Sequence, residues 1–131
     1  MSASDTDSTP PKPGLDILVV EDDSALLEVL ERALGQEDDY NVVACGTFEA
    51  ARRRLREQSF DVLLTDVRLG AFNGLQLAVL AKDVNPFTQL IVFSGFDDDV
   101  LRAETEHLGG TYLVKPVTAA QLRTLIADYR R

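Results

Sequence analysis

The chain of 131 residues is poor in several residue types, and each shortage excludes a class of protein. Its one cysteine, Cys45, can form no internal disulfide, so nothing indicates an oxidising compartment. Thirteen basic residues stand against 22 acids, and the net charge of −9 argues against direct nucleic-acid binding. The sequence has neither a signal peptide nor an apolar run long enough to cross a membrane. We therefore expect a cytoplasmic protein that holds cations or meets basic partners.

Length and composition fit one globular domain behind a short tail. Residues 1–14 are mostly Ser, Thr, Asp and Pro, and this composition predicts a disordered segment. The remaining residues, 15–131, are sufficient for one domain with its own core, since 45% of the chain is hydrophobic.

Short apolar segments alternate with amphipathic segments throughout the predicted domain. The apolar segments have strand length, and the intervening segments place leucines at helical spacing. This alternation predicts an α/β fold of the (βα)5 type, a doubly wound five-stranded parallel sheet with helices on both faces. The predicted strands are 15–20, 40–45, 62–64, 90–93 and 111–114, and the predicted helices are 24–34, 47–58, 75–83, 97–108 and one that opens at 118–121.

Four of the five predicted strands end on a chemically reactive side chain. Glu21 and Asp22 follow the first strand, Asp66 the third, Ser94 the fourth and Lys115 the fifth. Because the carboxyl ends of parallel strands share one edge of a sheet, these side chains are expected to converge there. Taken singly, each has an ordinary alternative, such as a turn-capping aspartate or serine, or a surface lysine.

Converging carboxylates repel one another, and a bound cation relieves that repulsion. An all-oxygen donor set suits Mg²⁺, whereas His107 and Cys45 lack partners at the spacing of a zinc site. A divalent cation, an ammonium group and a hydroxyl are what a phosphoryl group needs, and a carboxylate can act as the nucleophile. The residues therefore predict Mg²⁺-dependent phosphoryl chemistry on an aspartate.

Five motifs, in this order and spacing, resemble the response regulator receiver domains of two-component signalling. The resemblance covers nearly all of residues 16–131 and implies a flavodoxin-like fold with strand order 2-1-3-4-5. The motifs are ILVVEDD at 17–23, DVLLTD at 61–66, NG at 73–74, SG at 94–95 and YLVKP at 112–116.

The resemblance assigns a phosphoacceptor and a metal site. Asp66 corresponds to the phosphoacceptor. Asp22 corresponds to a direct Mg²⁺ ligand, together with Asp66 and the backbone carbonyl of Arg68, and Glu21 acts through a water molecule. Asp23 is instead interpreted as a solvated acid at a helix start.

The resemblance also assigns the residues that respond to phosphorylation. Ser94 corresponds to the hydroxyl that moves to bond the phosphoryl group, and Lys115 to the ion-pair partner of that group. Tyr112 corresponds to an aromatic switch that turns inward with Ser94, although a half-buried strand aromatic is an open alternative. The peptide bond to Pro116 is expected to be cis. The chain departs from the family at Gly70, where a proline often follows the phosphoacceptor by four residues.

The function implied is a phosphorylation switch with a histidine kinase or phosphotransfer protein as donor. The fourth helix, fifth strand and fifth helix would form the surface for an unknown output partner and are a candidate homodimer face. Catalysis would be limited to phosphotransfer to Asp66 and its slow hydrolysis. No effector segment follows the fifth helix, so either a stand-alone regulator or the receiver of a longer protein is compatible with the sequence.

Two other functions are weighed against this one. A receiver-like adaptor that signals by contact, without phosphorylation, is disfavoured because the acceptor, the acid pair and the lysine are all present. An aspartate-nucleophile phosphatase would need a general acid two residues after its nucleophile, and that position is Arg68.

Overall fold

The computed structural model describes residues 14–37 and 39–129, which form seven strands and five helices. The expected tail, apart from Gly14, lies outside the described residues. The strands are β1 (Leu15–Val20), β2 (Tyr40–Cys45), β3 (Val62–Asp66), β4 (Arg68–Leu69), β5 (Phe72–Asn73), β6 (Gln89–Ser94) and β7 (Thr111–Val114). The helices are α1 (Ser24–Gly35), α2 (Phe48–Glu57), α3 (Leu75–Val84), α4 (Asp99–His107) and α5 (Ala119–Tyr129).

Five strands form one parallel sheet in the order β2-β1-β3-β6-β7. With the short strands β4 and β5 set aside, this is the predicted order 2-1-3-4-5, and the doubly wound α/β prediction is confirmed. β1 and β3 are neighbours at the centre of the sheet, where Val20 is the partner of Thr65. The loop after β1 and the end of β3 therefore lie side by side.

The core occupies both faces of the sheet because alternate residues of a strand point to opposite sides. Leu18 and Val20 of β1 pack in one cluster with side chains from α2 and α3, while Ile17 and Val19 pack in another with side chains from α1 and α5. All four are fully buried. Burial on both faces explains why the central strands read as continuous apolar runs.

Polar residues that the sequence indicates cap the starts of α1, α2 and α4, and Thr118 and Gln121 form the predicted capping box at the start of α5. Asp23 accepts hydrogen bonds from the N–H groups of Ala25 and Leu26, so this acid caps α1. Thr47 caps α2, as predicted, and Asp98 caps α4. The helix-start role predicted for Asp23 is thus confirmed.

The largest departure from the prediction lies after Asp66, where the sequence indicated only a loop. Residues 68–73 instead form a small antiparallel hairpin, with Arg68 opposite Asn73 and Leu69 opposite Phe72. A second difference is that α1 includes Gly35 rather than stopping before it. Across 14–37 and 39–129, no helix has the length and apolarity that crossing a bilayer would require.

Candidate functional site

Three sheet segments bring four of the predicted site residues together. Glu21 and Asp22 follow β1, Asp66 ends the neighbouring β3, and Lys115 follows β7 at one side of the sheet. Lys115 reaches back across the end of β6 to the centre. The convergence expected from the ends of parallel strands therefore holds for these four side chains.

Lys115 joins two buried carboxylates. Its Nζ donates to Glu21 Oε1 and to Asp66 Oδ2, both at 2.8 Å. Glu21 is 1% exposed and Asp66 is 6% exposed, whereas a quarter of the Lys115 side chain remains accessible. The ammonium also lies 5.5 Å from the ring centroid of Phe93. An ammonium held between two acids at a sheet edge provides a positive charge beside a candidate nucleophile.

The cluster shifts the titration of its own members. Burial raises the pKa of the Glu21 carboxyl, and the charge of Asp66 adds to this rise, while hydrogen bonds from Lys115 and the Asp23 N–H oppose it. Burial alone would lower the pKa of Lys115, but its hydrogen bonds to Asp66 and Glu21 outweigh that effect and raise it. Glu21 therefore ionises less readily than a carboxyl group in water, chiefly because it is buried.

The same acids fit a divalent cation. Glu21, Asp22 and Asp66 each offer a carboxylate oxygen, and these oxygens lie within 4.8 Å of one another. The donors are all oxygen and Asp22 is exposed to solvent, a combination that suits Mg²⁺ with some of its waters retained. Burial is the main cause of the raised pKa of Glu21, but the negative charge of Asp66 adds to it, and a cation bound between the acids would offset that repulsion.

Backbone groups after β3 also contact the acids, and sequence reasoning missed them. The Arg68 N–H donates to Asp66 Oδ1 at 3.1 Å, and the Gly70 N–H donates to Asp22 Oδ2 at 3.2 Å. Gly74 lies so close that a Cβ there would overlap the backbone oxygen of Asp66. The Asn-Gly motif pointed to a special position, but only the fold shows what the glycine must avoid.

Ser94 and Tyr112 both hydrogen-bond to the backbone of Phe96, and among the described residues neither hydrogen-bonds to Asp66. The buried Ser94 Oγ accepts a hydrogen bond from the Phe96 N–H at 3.2 Å. The Tyr112 hydroxyl donates to the Phe96 carbonyl at 2.7 Å, and the side chain is 3% exposed. The Arg102 guanidinium lies 4.9 Å from the Tyr112 ring centroid. Tyr112 is therefore in an inward position, and the Lys115–Pro116 peptide bond is cis as expected.

Comparison with known proteins identifies the family. The sequence model of the response regulator receiver domain family matches residues 17–127. The chain belongs to this family. Receiver domains are the phosphorylation-type switches of two-component signalling, and the motifs of the chain lie within the matched range.

Curated relatives of this receiver domain are longer regulators. The chain is 30% identical over 119 residues to the transcriptional regulatory protein MalR of Bacillus subtilis. This alignment covers 89% of the chain and 51% of MalR. The chain is also 30% identical over 113 residues to the transcriptional regulatory protein ZraR of Escherichia coli. That alignment covers 86% of the chain and 25% of ZraR. The chain thus spans about half of one relative and a quarter of the other.

Solved receiver structures share the fold over nearly their whole length. The non-phosphorylated HemR receiver domain of Leptospira biflexa is 28% identical, with a TM-score of 0.77 over 90% of this chain and 94% of that one. A receiver domain protein from Clostridium thermocellum is 27% identical, with a TM-score of 0.79 over 88% and 93% of the two chains.

Proposed function

We propose that this receiver domain is switched by Mg²⁺-dependent phosphorylation of Asp66, with a histidine kinase or a phosphotransfer protein as donor. The observation that carries the proposal is the position of Lys115. Its ammonium contacts Asp66 and Glu21 at 2.8 Å, inside a group of three carboxylates. This arrangement offers both an acceptor oxygen and positive charge for the incoming group.

The proposed reaction is a displacement at phosphorus. An oxygen of the Asp66 carboxylate forms a bond to phosphorus while the bond from phosphorus to the donor histidine nitrogen breaks, and that nitrogen keeps the electron pair. Lys115 faces the negative charge that develops on the phosphoryl oxygens. Catalysis by the chain is limited to this transfer and to slow hydrolysis by water.

Four residues would hold the cation. Asp22, Asp66 and the Arg68 backbone carbonyl would be direct ligands, and Glu21 would act through a water molecule. When bound, Mg²⁺ would neutralise charge on the carboxylates and on the phosphoryl oxygens. Lys115 alone leaves the three-carboxylate group with net negative charge, which supports this requirement.

The proposed response runs from Ser94 to the surface that a partner reads. The Ser94 hydroxyl would leave the Phe96 N–H to bond the phosphoryl group, and Tyr112, which contacts the same loop, would report that change. The surface formed by α4, β7 and α5 is the proposed output face and candidate homodimer face. Exposed apolar side chains at Val100 and Val114 support this choice.

Intact mass after incubation with acetyl phosphate and Mg²⁺ tests the proposal. Acetyl phosphate can donate its phosphoryl group and release acetate, so the wild-type chain should gain one phosphoryl mass. Asp66→Asn and a sample without metal should gain none. Asp99→Asn, which changes an exposed acid in the first turn of α4, should behave as wild type. A chain that gains no mass and binds no beryllofluoride would instead be a phosphorylation-independent adaptor.

A further inference from the structure

The hairpin at residues 68–73 depends on the backbone of Gly70. Gly70 and Ala71 form its two-residue turn. Gly70 has φ of 63°, and Ala71 has negative φ because no described non-glycine residue has a positive one. Positive φ at the first turn position alone matches a type II′ turn, which favours glycine there. Proline cannot adopt this conformation, since its ring fixes φ near −65°.

One strand of this hairpin faces the acid cluster with its backbone. The N–H groups of Arg68 and Gly70, two residues apart, donate to Asp66 Oδ1 and Asp22 Oδ2 respectively. In the part of the chain that the structure describes, the Gly70 N–H is the one hydrogen-bond donor to the Asp22 carboxylate. The hairpin thus donates backbone hydrogen bonds to two of the three candidate metal-binding acids.

The other strand of the hairpin is anchored to the domain. The Phe72 ring stacks on Phe48 of α2, with centroids 4.6 Å apart and planes 12° from parallel. Asn73 Oδ1 accepts a hydrogen bond from the Leu75 N–H at 2.8 Å, which ties the hairpin to the start of α3. A backbone donor on such an anchored hairpin has a defined position relative to the sheet.

We propose that the Gly70 N–H positions the Asp22 carboxylate for the cation, so that Gly70 is a positioning residue of the metal site. Asp22 is exposed and is repelled by two nearby carboxylates, so an unrestrained side chain would turn away. The hydrogen bond holds Oδ2 and leaves Oδ1 free for a ligand bond. Partners that orient metal ligands commonly set metal affinity. This inference rests on the proposed function, because it assumes that the acids bind Mg²⁺.

Two substitutions at one position compare a chain that keeps the residue-70 N–H and its turn conformation with a chain that loses both. Gly70→Asn keeps the N–H, and asparagine is among the residues found at positive φ. Gly70→Pro has no N–H and cannot adopt positive φ. No atom lies within 4 Å of the Cβ position, so the cost of either change comes from the positive φ of the backbone and not from a clash. In Mg²⁺ titrations followed by ¹H–¹⁵N NMR, Gly70→Asn should match the wild type within about twofold, and Gly70→Pro should bind about tenfold more weakly. Unchanged signals from the sheet would show that each variant is folded.

The outcomes distinguish this inference from the function on which it rests. Saturable Mg²⁺ binding with equal affinity in all three proteins would overturn the positioning role alone. No binding by the wild type would contradict the proposed function itself. Hydrogen exchange of the Gly70 amide without metal gives a second test that needs no proline variant. We expect exchange to be at least about threefold faster in Asp22→Ala than in the wild type, and equal rates would overturn the inference.

Discussion

Replacing Lys115 by methionine tests how strongly the ammonium stabilises the acid cluster. The change keeps a long apolar stem and removes the charge that Glu21 and Asp66 share. Without Mg²⁺, both carboxylates would then be buried beside Asp22 with no cationic side chain in contact. We therefore expect the folded state to lose stability, and the loss to depend on pH.

The magnitude follows from the burial of the ion pairs. Removing one partner of a fully buried pair costs about 3–5 kcal/mol. Because a quarter of the Lys115 side chain is exposed, water screens the pairs, and we expect a loss near the lower limit, about 2–3 kcal/mol at pH 7. Lys115 has a raised pKa and stays protonated between pH 5 and pH 7, so its own titration adds nothing in that interval.

Glu21 sets the direction of the pH dependence. Its folded-state pKa is raised, chiefly by burial, so the folded protein holds this proton more tightly than the unfolded chain does. Stability is therefore greatest below the unfolded pKa and falls as pH rises through the folded one. Lys115 opposes this shift, so its removal should raise the pKa of Glu21 further. The loss in Lys115→Met should accordingly be smaller at pH 5 than at pH 7.

Urea unfolding followed by circular dichroism, without Mg²⁺, measures both quantities. Lys82→Met is the matched control, because Lys82 is only partly buried and its ammonium contacts the Pro86 carbonyl rather than an acid. This control should change stability by less than about 0.5 kcal/mol at either pH. A loss in Lys115→Met below 1 kcal/mol, or one that is equal at pH 5 and pH 7, would refute the electrostatic reasoning.

Three further predictions concern the surroundings of the cluster. Gly74→Ala should lower the free energy of unfolding by about 1–3 kcal/mol in urea, since its Cβ would overlap the backbone oxygen of Asp66. Tyr112→Phe should lower it by about 1 kcal/mol, because a loop carbonyl loses its hydroxyl donor. Exchanging both Arg68 and Phe96 for other residues should change the half-life of the phosphoryl group on Asp66. The Arg68 guanidinium lies 5.0 Å from the Phe96 ring centroid, beside the site.

Each of these predictions has a control or a contradicting result. Gly35→Ala places a Cβ with no atom within 4 Å, so it should not destabilise the domain, and an equal loss there would contradict the steric argument. An unchanged midpoint for Tyr112→Phe would mean that water replaces the lost donor. An unchanged decay of the phosphoryl mass after the exchange would show that Arg68 and Phe96 do not affect access of water.

The four residues that converge could be predicted because topology alone brings them together. Each ends or directly follows a strand of a parallel sheet, and the carboxyl ends of such strands share one edge whatever the details of packing. The apolar runs of β1 and β3 are equally legible, since burial on both faces requires them. The order of strands and helices, which the sequence predicts, is therefore enough to place four side chains at one edge of the sheet: Glu21, Asp22, Asp66 and Lys115.

The hairpin at residues 68–73 could not be predicted in the same way. Its strands have two residues each, too few for an alternating pattern, and its turn lacks the Asn-Gly or Asp-Gly pair that marks many hairpins. Its contact with Asp22 spans 48 residues and uses a backbone N–H, which nearly every residue type carries. Reactive side chains at strand ends can therefore be predicted from this sequence. The backbone contacts that orient the same side chains depend on loop geometry, and Gly70 at φ of 63° is where that geometry is decided.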